Sequence, residues 1–128
     1  MTVTRESFAD WLTAYFDAWR SNNPSQVAAL FAESAIYEYG PFRQPALGRE
    51  QIVKNWVSNS NNPPDLQTSA SVIAVDGQTG VAHWCASFPI PGQSSVLLEL
   101  DGVLIAEFNQ AGECVHHREW YQQRESPR

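Results

Sequence analysis

The chain has 128 residues, 43% of them hydrophobic, with fifteen Trp, Tyr and Phe residues and a formal net charge of −6. That length suits one domain, residues 1–128, burying roughly two-thirds of its unfolded surface. The acidic balance and the single scattered basic residues exclude the clustered Lys and Arg that a nucleic-acid partner requires, and no apolar run approaches the roughly 20 residues that span a bilayer.

The opening MTVTRESF lacks the apolar stretch of a secretory signal. Cys85 and Cys114 show neither a disulfide framework nor metal-ligand spacing. A reduced, cytoplasmic setting is therefore expected.

Phe8, Trp11, Leu12, Tyr15, Phe16 and Trp19 recur at helical spacing and predict a first amphipathic helix, with Thr4 as its N-cap. Ser21-Asn22-Asn23-Pro24 ends it and starts a second, capped by Asn23, with Val27, Leu30 and Phe31 as its apolar face. A short strand is expected at Ile36–Tyr39. A third helix opens at Gly48, buries Ile52, Val53, Trp56 and Val57, and stops in the Asn59–Pro64 stretch, where two prolines cannot continue it.

The period then changes. Leu66–Val75, Val81–Phe88, Val96–Phe108 and Cys114–Gln123 read as strands separated by segments with turn chemistry, such as Asp76-Gly77-Gln78-Thr79-Gly80. Four strands joined by hairpins make an antiparallel meander. Helices first and sheet afterwards predict an α+β fold.

Several motifs resemble the nuclear transport factor 2-like superfamily, in particular its SnoaL-like branch. They are the aromatic first helix, Leu30-Phe31-Ala32-Glu33-Ser34-Ala35, the aromatic segment Tyr37-Glu38-Tyr39-Gly40-Pro41, Gly48-Arg49-Glu50, and the final Arg118-Glu119-Trp120-Tyr121. The resemblance covers essentially the whole chain. It implies a cone-like, strongly curved sheet wrapped around three helices, a small-molecule pocket, and a homodimer packed through the sheet backs. That fold hosts isomerases, cyclases and hydrolases as well as non-catalytic binding or dimerisation modules.

Tyr37-Glu38-Tyr39-Gly40-Pro41 is similar to the Tyr-x-Asn-x-Pro strand of limonene epoxide hydrolase, with Tyr39 in place of the Asn. Arg118-Glu119-Trp120 is similar to its Arg-Asp-Tyr, which puts Glu119 where a catalytic carboxylate belongs. His83 and Cys85 fall where that family carries an Arg-x-Asp pair, so the epoxide hydrolase triad is incomplete. In ketosteroid isomerase, another relative, the general base sits near the position of Tyr39, which is no carboxylate.

The candidate catalytic residues are Glu119, Tyr37, His117 and His83. A carboxylate in an apolar cavity has its pKa raised by desolvation, which suits acid–base work; an ion pair of Glu119 with Arg118 or another arginine is the alternative. His83 shares a side with Glu119 if the limonene epoxide hydrolase alignment and regular alternation both hold, whereas hydrophobicity alone turns Trp84 and Phe88 inward. Tyr15, Tyr39, Phe42, Trp56 and Trp84 are candidate ligand-binding residues, with core packing the alternative for Trp19 and Trp56. Asp101 reads as an outer-face residue unless Gly102 marks a bulge, and Cys85 reads as a buried small residue. His116-His117 cannot chelate one ion, because adjacent strand residues point to opposite faces; no metal and no cofactor are expected. The function predicted is binding of a small, mostly apolar molecule, with isomerase, cyclase or hydrolase chemistry by Glu119 as one outcome and a non-catalytic ligand-binding or dimerisation module as the other.

Overall fold

The computed structural model describes residues 2–60, 63 and 65–128. Its elements run α1 (Arg5–Ser21), α2 (Pro24–Ala28), β1 (Phe31–Glu38), β2 (Ala46–Leu47), α3 (Arg49–Ser60), β3 (Gln67–Asp76), β4 (Thr79–Ile90), β5 (Gln93–Phe108) and β6 (Cys114–Pro127). The Asn59–Pro64 stop expected after α3 falls largely outside the described residues.

A capping box starts α1. The Thr4 hydroxyl accepts from the Ser7 N–H at 3.0 Å, and the Ser7 hydroxyl accepts from the Thr4 N–H at 2.9 Å. The stripe predicted from the spacing is the buried one: Phe8, Trp11, Leu12, Tyr15 and Phe16 all lie in the core, with Trp19 packed at its margin. Asn23 caps α2 through the Ser25 N–H at 2.9 Å, and Pro24 takes the first helical position.

The expectation that α2 reaches Phe31 is corrected. The helix stops at Ala28, and Phe31 begins β1 beside Cys114 of β6. The Leu30 carbonyl accepts from the Cys114 N–H at 3.0 Å and from the Trp11 indole at 3.2 Å, so sheet pairing and the α1 core claim the backbone that a longer helix would need.

β1 thus starts before the predicted Ile36. The six strands form one curved, unclosed sheet in the order β2-β1-β6-β5-β4-β3. Its pairs are antiparallel except β1 with β6, which run parallel, a second departure from the all-antiparallel expectation. Helix α1 packs against β3 and α3 against β1, both on the same concave side as the buried aromatic residues. On β5 the alternation follows the apolar face predicted for it: Leu100, Leu104, Ala106 and Phe108 are buried, while Glu99, Asp101 and Glu107 turn outward.

Gly102 is no bulge, since the register passes through it unbroken to Trp84 and Tyr121. Its lack of a side chain serves close approach instead: a Cβ there would meet the Trp120 carbonyl oxygen at 2.4 Å.

Candidate functional site

Three elements converge on one buried carboxyl group. Tyr15 comes from the stripe of α1, Tyr37 from β1, and Glu119 from β6, two residues beyond His117 on the same inward face. The Tyr15 and Tyr37 hydroxyls lie 2.7 Å apart, and the Tyr37 hydroxyl hydrogen-bonds the Glu119 carboxylate. With Tyr37 donating to the carboxylate, its remaining lone pair accepts from Tyr15, so a single chain of protons runs Tyr15–Tyr37–Glu119.

Glu119 is 7% exposed. Burial raises its pKa from the usual carboxylate range to about 7, offset in part by the Tyr37 hydrogen bond and then by the Arg43 charge. Among the described residues no ion pair joins it to an arginine: Arg118 points to the opposite face, its guanidinium 5.9 Å from the Trp120 ring. Burial first, and the Glu119 charge second, push both tyrosines well above the ordinary phenol range, so both remain donors at neutral pH.

Beside this chain is a cavity of about 360 Å³. Tyr15, Tyr37, Tyr39, Trp56, Trp84 and Glu119 all line it. Trp19, a candidate wall residue with core packing as its alternative, also lines it, and so do residues that the sequence reading did not single out: Phe16, Arg43, Asn55, Leu100 and Tyr121. Asn55 donates to the Tyr39 hydroxyl at 3.4 Å, and the Arg43 guanidinium sits 5.3 Å from the Tyr39 ring centre. The indole N–H groups of Trp56 and Trp84 are buried without an acceptor within the described chain.

His117 lies behind the cavity wall, fully buried against two rings. Its imidazole stacks on Tyr37 at 4.2 Å and on Tyr15 at 5.3 Å, with interplanar angles of 16° and 12°. Among the described residues neither ring nitrogen has a hydrogen-bond partner. Burial, then the His116 charge, lower its pKa from 6.5 to about 3, which keeps it neutral. It therefore buttresses the two tyrosines and is not among the lining residues.

Two expected residues stand elsewhere. His83 is on the outer face, where its Nε2 meets Asp101 Oδ1 at 2.7 Å. The alternation conflict on β4 is resolved by packing: Ala82, Trp84 and Ala86 take the helix-covered side, because burying an indole there outweighs burying an imidazole. Phe42 is fully exposed in the turn after β1; it is not in the wall of this cavity but lines an adjoining hollow with Tyr39, Arg43 and Glu119. Cys85, expected to be buried, is partly exposed beside His83. Desolvation and the Asp101 carboxylate hold its thiol above its ordinary pKa, the reverse of what activates a nucleophile.

The sequence of residues 12–117 matches the SnoaL-like domain. The chain belongs to the SnoaL-like family of the nuclear transport factor 2-like superfamily. Two solved structures share its fold. One is the epoxide hydrolase/cyclase-like enzyme SalBIII, with a role in pyran ring formation in the polyether salinomycin: TM-score 0.73, 15% identity, 89% of each chain covered. The other is an NTF-2 like protein of unknown function from Burkholderia xenovorans LB400, with TM-score 0.70 and 18% identity over 91% of this chain and 84% of that one. Among curated proteins, none matches the sequence.

Proposed function

We propose that the cavity takes a small, mostly apolar molecule bearing an oxygen function, and that Glu119 moves a proton on it in a cofactor-independent isomerisation or ring closure. The carrying observation is a carboxyl group with pKa about 7 beside an aromatic cavity, tied to two tyrosine hydroxyls. Such a group is half-protonated at neutral pH, so it can take a proton from one atom of the ligand and return it to another. Tyr37 is placed to steady the carboxylate when it forms, and the Trp56 and Trp84 indoles offer donors to a ligand oxygen.

Among the described residues Glu119 is the one carboxylate in the cavity wall, so the same group would serve as base whether the nucleophile is water or a hydroxyl of the ligand. SalBIII is an epoxide hydrolase/cyclase-like enzyme of the same fold, and a ring-closing role fits the arrangement here.

The test is a panel of cyclic ketones and hydroxy-epoxides, followed by product analysis for the wild type and Glu119→Gln. Turnover that falls by about 10²- to 10⁴-fold in Glu119→Gln supports the proposal. Binding without conversion in the wild type would establish the non-catalytic alternative, and no binding of any member would overturn both.

We also propose that a second copy of the chain covers the outer sheet face, where Trp120 is 41% exposed and pairs with Val103. Light scattering that gives twice the chain mass, reduced to one chain mass in Trp120→Glu, supports this. A monomeric wild type contradicts it.

A further inference from the structure

On the outer face, away from the cavity, β4 and β5 bring together one nitrogen, one sulfur and one oxygen donor. The register sets Cys85 opposite Asp101, and the two-residue period puts His83 on the same face as Cys85. His83 Nε2 is 2.7 Å from Asp101 Oδ1 and 3.7 Å from Cys85 Sγ, and the three donor atoms all lie within 4.8 Å of one another.

A tetrahedral Zn²⁺ with bonds of about 2.0–2.3 Å spaces its donors by roughly 3.3–3.7 Å. The sulfur–nitrogen separation already has that value. The nitrogen–oxygen separation is a hydrogen bond, and it would open by about half an ångström as the metal replaces the shared proton. Both flanking side chains are half-exposed, at 46% for His83 and 68% for Asp101, so this adjustment meets no packing.

We infer that His83, Cys85 and Asp101 form a three-ligand Zn²⁺ site whose fourth position is open to water. The donor set matches the borderline-soft character of zinc, and a thiolate disfavours Mg²⁺ and Ca²⁺. A supporting shell is present. Ser69, the neighbour of Cys85 on β3, hydrogen-bonds its sulfur, and Arg124, the nearby cation, is taken up by Glu99 at 2.8 Å. Entry runs along a polar groove of about 540 Å³ lined by Ser69, Cys85, Asp101 and Gln122 among others. As the Zn–S bond forms, the thiol proton leaves to solvent, and His83 Nε2 binds through the lone pair freed when the proton it shares with the Asp101 carboxylate is carried on Nδ1 instead.

The alternative is an ion pair with a cysteine nearby, and cobalt separates the two. The full chain, stripped by chelator and kept reduced, is titrated with Co²⁺ and then with Zn²⁺. One equivalent of Co²⁺ per chain should give a thiolate-to-cobalt charge-transfer band with the visible absorption of tetrahedral geometry, and one equivalent of Zn²⁺ should abolish both. Cys85→Ala should lose the charge-transfer band. His83→Gln and Asp101→Asn, surface substitutions that leave the core untouched, should each weaken binding by about 10- to 100-fold or more. Absence of the band in the wild type, its persistence in Cys85→Ala, or an affinity unchanged by His83→Gln and Asp101→Asn would each overturn the inference.

Discussion

His116 and His117 are adjacent on β6, yet the two faces of the sheet give them opposite surroundings. His116 looks outward, and its two ring nitrogens meet Glu38 of β1 and, at 3.2 Å, Glu107 of β5. It ties three neighbouring strands together in contact with solvent. His117 looks inward, packs against the Tyr37 and Tyr15 rings and, among the described residues, has no hydrogen-bond partner for either ring nitrogen. A 180° change of direction separates a residue with two carboxylate neighbours on adjacent strands from a neutral one packed among rings. The residue type alone says little about its chemistry; the face it occupies decides it.

The inner face carries a second contrast, between His117 and Glu119. Burial lowers the first pKa and raises the second, so each prefers its uncharged form in the fold. Their effects on stability run in opposite directions. His117 contributes stability that is present above its unfolded pKa near 6.5 and is lost as pH falls toward about 3. Glu119 contributes stability that is present below its unfolded value near 4.5 and is lost as pH rises through about 7. Between roughly pH 4.5 and 6.5 the two proton balances cancel, and these residues together leave stability flat.

The largest expected effect comes from breaking that cancellation. His117→Phe keeps a ring against Tyr15 and Tyr37 and removes the group that must take up a proton on acid unfolding. Denaturant curves for it should show stability rising as pH falls from 7 to 4.5, by roughly 3 kcal/mol, the Glu119 contribution unmasked. Glu119→Gln should do the reverse, falling below pH 6.5 while gaining stability over the wild type above pH 7. Parallel pH profiles for both variants and the wild type would contradict the assignment.

Tyr37→Phe should follow in size. It removes the donor to Glu119 and leaves the Tyr15 hydroxyl without its partner, at a cost of about 1–3 kcal/mol. Because that hydrogen bond favours the ionised carboxyl, the Glu119 pKa should move further upward, readable from the pH profile of stability. Arg43→Ala should shift it upward as well, by less, since the Arg43 charge is the smaller of the two offsetting influences. A larger shift for Arg43→Ala than for Tyr37→Phe would place Arg43 closer to the carboxyl than the structure does.

How far these features could be read beforehand depended on side-chain size and regularity. The α1 stripe and the four-strand meander repeat over many residues, so their period stands out. Tyr15 is legible from the helical period of α1, Glu119 from the alternation of β6, and Tyr37 from the motif Tyr37-Glu38-Tyr39-Gly40-Pro41 that carries the family resemblance. β1 is not: its register shifts between Phe31 and Ile36, and the shift puts Glu33 and Ser34 together on the exposed side where alternation would separate them. The inward face of β4 is undecided in the sequence because His83 and Trp84 are both compatible with the local pattern, and only the helices behind the sheet decide between them. Arg43 and Asn55 reach the cavity from a turn and from a helix flank, positions that no hydrophobic period encodes.

The most direct measurement is the titration of the Glu119 carboxyl by ¹³C NMR on selectively labelled protein, with Glu119→Gln to assign the signal. The account predicts a midpoint at about 7. A midpoint in the ordinary carboxylate range near 4.5 would show a solvated, ionised group and would remove the proton-transfer role from this site.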